Sequence, residues 1–76
     1  MLSETQTKVL IFVVTTIRRD EIAPTIREIA EATGLSVSGA RKTMMALEDL
    51  GFIRRTYHKF RAIKVLRWPD EAKTAA

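Results

Sequence analysis

The chain has 76 residues, 46% of them hydrophobic, and a formal net charge of +4, which suits one domain built around one small core. It contains no cysteine and a single histidine, His58, so disulfide staples and the usual Cys/His metal constellations are excluded and no cofactor is expected. The longest apolar run, Val9 to Val14, is far too short to span a bilayer, and no secretory leader pattern is present, so a cytoplasmic protein with no membrane partner is expected.

In chain order, Ser3 followed by Gln6 forms a capping box that opens a first helix. Val9, Leu10, Val13, Val14 and Ile17 recur at helical spacing and define its buried stripe. The β-branched run "VVTTI" lowers intrinsic helix propensity, so burial must hold this helix. It is expected to end near Arg18–Arg19, where cations complement the negative end of the helix dipole. "DEIAPT" is a connector, because the residue before Pro24 is pushed away from helical geometry.

Thr25 and Glu28 form a second capping box, and the helix they open should bury Ile26, Ile29, Ala30 and Thr33. Gly34 ends it in a left-handed conformation, with Leu35 following as a plug into the core. Ser36 then caps a third helix whose Ala40, Met44, Leu47 and Leu50 are spaced to face inward, and Gly51 stops it. The result is helix, tight turn, helix.

After Gly51 the period changes from 3.6 to about 2. "FIRRTY" and "FRAIKVL" alternate apolar with basic positions, Ile53 falling in phase with Arg55 and Tyr57. Together they predict a two-stranded antiparallel β-hairpin with its tip near His58. The fold class is therefore α+β: three helices followed by a β-hairpin, occupying residues 1–67, with residues 68–76 as a flexible C-terminal tail.

Charge is unevenly placed. Residues 1–33 carry four basic against five acidic side chains, a net of −1, whereas residues 34–76 carry nine against four, a net of +5. Between Arg54 and Arg67 there are six basic residues and no acidic one. Such asymmetry is the footprint of a phosphate-binding face, against the plainer alternative of a solvated surface.

The third helix supplies the means to read DNA. A helix-turn-helix lays its second helix in the major groove and presents that helix's N-terminal residues to base edges. The outward positions are Ser36, Val37, Ser38, Gly39, Arg41 and Lys42. The small residues allow close backbone approach, Arg41 can grip guanine with two hydrogen bonds, and Lys42 suits a base or a phosphate. No acidic residue precedes Glu48 on this helix. A basic hairpin directly afterwards makes a wing. Arg54, Arg55, Lys59 and Arg61 would contact phosphates, and Arg61, near the tip, is placed to enter a narrow minor groove. His58 reads as a solvated polar residue or a phosphate contact, since no nucleophile accompanies it. Met44 is read as core, and Met45 as a surface or DNA-edge residue. Tyr57, Phe60 and Trp68 read as packing residues, with base stacking as the alternative.

The stretches "APTIREIAEATGLS" and "ALEDLGFIRR", with the opening "LSETQTKVL" and the closing "KFRAIKVL", resemble the winged-helix DNA-binding domain of the LexA family of bacterial SOS repressors over residues 2–66. The resemblance implies that Ser36, Ser38, Gly39, Arg41 and Lys42 lie on the recognition helix, and that Thr25 and Arg27 contact the DNA backbone. Gly34 to Gly51 is one residue shorter than in that family and lacks its proline near the start of the recognition helix, so the operator sequence is not carried over. The family's self-cleaving Ser/Lys peptidase domain has no counterpart in these 76 residues, and autoproteolytic inactivation is not expected of the chain as given. A compact bacterial or phage regulator and a piece of a larger repressor both fit.

These observations predict a sequence-specific double-stranded DNA-binding transcriptional regulator, most simply a repressor, acting as a homodimer on DNA and associated with the nucleoid. The competing reading is a basic winged-helix module that docks an acidic protein partner; a single-strand or RNA binder would need Tyr57, Phe60 and Trp68 as a stacking platform. An enzyme is not expected, for want of a nucleophile–base pair or a phosphate-cradling glycine loop.

Overall fold

Three capped helices precede a short β-ribbon in the computed structural model, which describes residues 2–55 and 63–67. The first helix, α1, spans Glu4–Asp20. Its capping box is closed as the sequence predicts: the Gln6 N–H donates to Ser3 Oγ at 3.1 Å, and the Ser3 N–H donates to Gln6 Oε1 at 2.9 Å. Val9, Leu10, Val13 and Val14 are buried, and Ile17 packs against the same core. The helix runs slightly past Arg18–Arg19 and is ended by Glu21, which adopts a left-handed conformation (φ 59°) and donates its N–H to Ile17 O at 2.8 Å. A non-glycine residue in that conformation gives no sequence signal comparable to a glycine.

The second helix, α2, spans Ile26–Thr33 and is opened by the Thr25–Glu28 capping box. Ile29 and Ala30 are buried, while Ile26 packs against the core at its edge. At its end Gly34 has φ 75°, and the N–H groups of Gly34 and Leu35 both donate to Ala30 O. The left-handed glycine satisfies a terminal carbonyl and turns the chain so that Leu35 returns to the core.

The third helix, α3, spans Val37–Asp49. Ser36 caps it by accepting the Gly39 N–H at 3.0 Å. Ala40, Met44 and Leu47 are fully buried, and α3 packs against both α1 and α2. Burial of each large apolar side chain here contributes about 1.5–3 kcal/mol.

Leu50 departs from the expected stripe. It is 50% exposed because it is the residue that caps α3, beyond the last helical position. Gly51 (φ 84°) turns the chain immediately afterwards, and Phe52 and Ile53 take the core place instead, at 5% and 1% exposure. The Phe52 N–H donates to Leu47 O at 3.0 Å, which fixes that turn.

Strands β1 (Ile53–Arg55) and β2 (Ile63–Val65) pair antiparallel, with Ile53 opposite Val65, Arg54 opposite Lys64 and Arg55 opposite Ile63. The base of the ribbon is closed by the Leu66 and Arg67 N–H groups, which donate to Phe52 O at 2.8 and 3.2 Å. The architecture is the α+β arrangement expected: three helices followed by a two-stranded antiparallel sheet. The expected hairpin tip at His58 and the expected tail of residues 68–76 lie outside the described residues.

Candidate nucleic-acid interface

Because Ala40, Met44 and Leu47 hold one side of α3 in the core, the opposite side must face solvent. Ser36, Val37, Ser38, Arg41 and Lys42 are all exposed, Val37 to 39%, and Gly39 is half-buried. The two cations lie on the second turn of the helix, with Ser36 and Ser38 just ahead of them.

Local chemistry explains the glycine. A Cβ at position 39 would come within 3.2 Å of Ser36 Oγ, tighter than ordinary contact. Glycine therefore leaves room for the serine side chain to fold over the helix end and accept the Gly39 N–H. Thr43 Oγ1 donates to Gly39 O at 2.9 Å, tying the first turn to the second.

Thr25 and Arg27 belong to the opening of α2, Thr25 half-buried and Arg27 exposed. The Thr25 hydroxyl is already an acceptor for the Glu28 N–H at 3.1 Å. What it retains is its own O–H, a donor suited to an anionic oxygen.

Arg54 and Arg55, both expected to contact phosphates, separate on the ribbon. Arg54 is exposed, opposite the exposed Lys64. Arg55 is in phase with buried Ile53 and turns inward, its side chain only 15% exposed. Its backbone N–H donates to Glu48 Oε2 at 3.1 Å and its Nε to Glu48 Oε1 at 3.4 Å. A phosphate contact by Arg55 does not fit this placement: the strand's period of two sends alternate side chains to opposite faces, and the inner one meets the carboxylate of α3. The alternation of Ile53 with Arg55 carried that signal, but Glu48 as its partner was not legible without the packing of α3 against β1.

Arg67 is likewise held, its guanidinium carbon 4.5 Å from the centre of the Phe52 ring, a cation–π arrangement. His58, Lys59 and Arg61 lie outside the described residues. A separate groove of about 400 Å³, between α1 and α2, is lined by Lys8, Ile11, Phe12, Thr15, Ala32 and Thr33 and takes no residue from α3. Among the described residues no helix is long and apolar enough to cross a membrane, and no group of three or more His, Asp or Glu could hold a metal ion.

The arrangement is thus a helix braced on its inner side, basic and small-residued on its outer side, with an arginine and a lysine side by side on the adjoining ribbon. Comparison with known proteins agrees. The chain is 42% identical over 73 residues to the LexA repressor of Novosphingobium aromaticivorans, covering 95% of this chain and 31% of that protein. It is 38% identical over 76 residues to the LexA repressor of Cereibacter sphaeroides (99% and 33%) and 40% identical over 73 residues to that of Acidiphilium cryptum (95% and 32%). The chain therefore spans about a third of the length of the curated relatives it matches. Residues 1–62 match the family described as the LexA DNA binding domain, and the chain belongs to that family.

Proposed function

We propose that residues 1–67 form the operator-reading domain of a sequence-specific transcriptional repressor. α3 enters the major groove of double-stranded DNA, where Arg41 grips a guanine edge and Lys42, Ser36 and Ser38 contact bases or nearby phosphates, with Val37 and Gly39 allowing close approach. Thr25 and Arg27 hold the backbone on one side. Arg54 does so on the other, together with His58, Lys59 and Arg61 of the ribbon connection. Those contacts supply salt-dependent affinity and fix the register, while α3 supplies the sequence preference.

The observation that carries this reading is the exposure of Arg41 and Lys42 on a helix whose opposite face is locked in the core. A single domain of this size buries limited surface on DNA, so the functional unit on an operator is a pair of domains, each reading a half-site. Repression follows from occupancy: a bound pair blocks the promoter.

The test is selection from a randomised duplex pool, with affinity then measured at two salt concentrations. The reading expects a recovered motif, present as a repeated half-site, and binding that weakens as salt rises. Salt-sensitive binding with no motif would contradict the base-reading role, and absence of duplex binding would favour an acidic protein partner instead.

A further inference from the structure

Met45 is half-exposed on α3, at 50% of its full accessible surface. Its neighbours at helical spacings of three and four are Arg41, Lys42, Glu48 and Asp49, so its own helix surrounds it with charge and offers no apolar patch to share. Met44, one residue earlier, is completely buried; the core is filled without Met45. An unbranched apolar side chain at the centre of a charged, outward face gains free energy when an apolar group covers it.

Position and reach specify what covers it. A rise of about 1.5 Å per residue puts Met45 roughly 6 Å further along the helix than Arg41, on the same outer side. Long side chains on a helix lean back toward its N-terminus, so the thioether reaches toward the turn that carries Arg41 and Lys42. Beyond it the outward surface turns acidic at the exposed Asp49, which opposes approach to phosphates. Met45 is therefore the last residue of the outer face before that repulsion begins. In the major groove the apolar feature that distinguishes one base pair from another is the 5-methyl group of thymine.

We propose that Met45 is a specificity-determining residue that packs on a thymine 5-methyl group next to the base read by Arg41. The inference rests on the proposed operator-reading role. It extends that role by assigning an apolar contact to the part of the helix face where Arg41 and Lys42 supply charge. Methionine suits the task because its flexible, polarisable chain fills an irregular gap without a fixed hydrogen-bond geometry.

The test uses the whole chain and a duplex recovered from the random pool, with each thymine of one half-site replaced in turn by uracil, which differs only in lacking the methyl group. The wild-type chain is expected to lose about three- to five-fold in affinity at one position, the effect of withdrawing one methyl group from an apolar contact. Met45→Ala is expected to bind thymine and uracil equally at that position while keeping the thymine sensitivity of every other position. Met45→Gln, which keeps the length and removes the apolar end, is expected to behave as Met45→Ala, and circular dichroism checks that both variants fold. Specific binding by the wild type with no uracil-sensitive position, or survival of every such sensitivity in both variants, would overturn the assignment to Met45 and leave the repressor reading intact. Failure to recover any preferred duplex would instead overturn the reading on which it rests.

Discussion

Glu48 and Arg55 join α3 to the ribbon: one carboxylate accepts both the Arg55 backbone N–H, at 3.1 Å, and its Nε, at 3.4 Å. The pair is partly shielded, with side-chain exposures of 25% and 15%. Its consequence is geometric, since the strand that carries exposed Arg54 is anchored to the helix that carries Arg41. Removing the carboxylate leaves a strand N–H and a half-buried guanidinium without it. Glu48→Ala is therefore expected to lower stability by about 1–2 kcal/mol. Chemical denaturation of Glu48→Ala, Arg55→Ala and the double variant should show a coupling of about 1 kcal/mol; strict additivity would mean that the contact anchors nothing.

The two adjacent arginines of β1 should separate in a salt titration. Arg54→Ala removes an exposed cation proposed to contact phosphate and is expected to reduce the slope of log affinity against log salt by about one unit. Arg55→Ala should weaken the fold and leave that slope nearly unchanged. Equal slope changes for both would place Arg55 on the DNA. Arg61→Ala, from the ribbon connection, is expected to resemble Arg54→Ala and to weaken all duplexes alike.

Glu21 marks a place where the chain is not at its stability optimum. It closes α1 in a left-handed conformation with φ 59°, which costs a residue with a Cβ roughly 1 kcal/mol that glycine does not pay. Glu21→Gly is expected to raise stability by about 0.5–1 kcal/mol, readable as a higher melting temperature. Gly51 is the converse case: at φ 84°, Gly51→Ala should lower stability by about 1–2 kcal/mol, although a Cβ there would meet nothing within 4 Å. If Gly51→Ala melts like the wild type, the turn does not require glycine.

The Thr25 hydroxyl caps α2 and is proposed also to donate to the DNA backbone. Thr25→Ala removes the acceptor for the Glu28 N–H and should cost about 1 kcal/mol of stability. Thr25→Ser keeps both the cap and the O–H donor, so its stability and DNA affinity should stay near wild type. A loss of affinity in Thr25→Ser equal to that in Thr25→Ala would show that the methyl group, rather than the hydroxyl, matters.

Much of this fold is legible in the residues because its signals are local. Ser3 with Gln6, Thr25 with Glu28, Ser36, Gly34 and Gly51 each act within a few positions of themselves, and each stands at a helix end where expected. What escaped sequence reasoning depends on contacts between distant elements. Leu50 continues the α3 spacing on paper, but Phe52 and Ile53 occupy the core after the turn at Gly51, so the stripe ends at Leu47. Leu2, Ala23 and Pro24 are buried although nothing periodic marks them. Thr16 is buried too, with its hydroxyl unpartnered. In the candidate site, the outward residues of α3 follow directly from the inward ones. The inward turn of Arg55 follows from strand alternation, but its meaning required Glu48, a residue of α3 rather than of the ribbon.

In the proposed function α3 reads bases and the ribbon holds backbone, and Arg41 tests that division most directly. Affinities of the wild type and Arg41→Ala should be compared on the duplex recovered by selection and on a scrambled duplex at the same salt. Arg41→Ala is expected to lose about 1–3 kcal/mol on the selected duplex and much less on the scrambled one, with preference relaxed at one base pair. An equal loss on both duplexes would contradict it and make Arg41 another phosphate ligand.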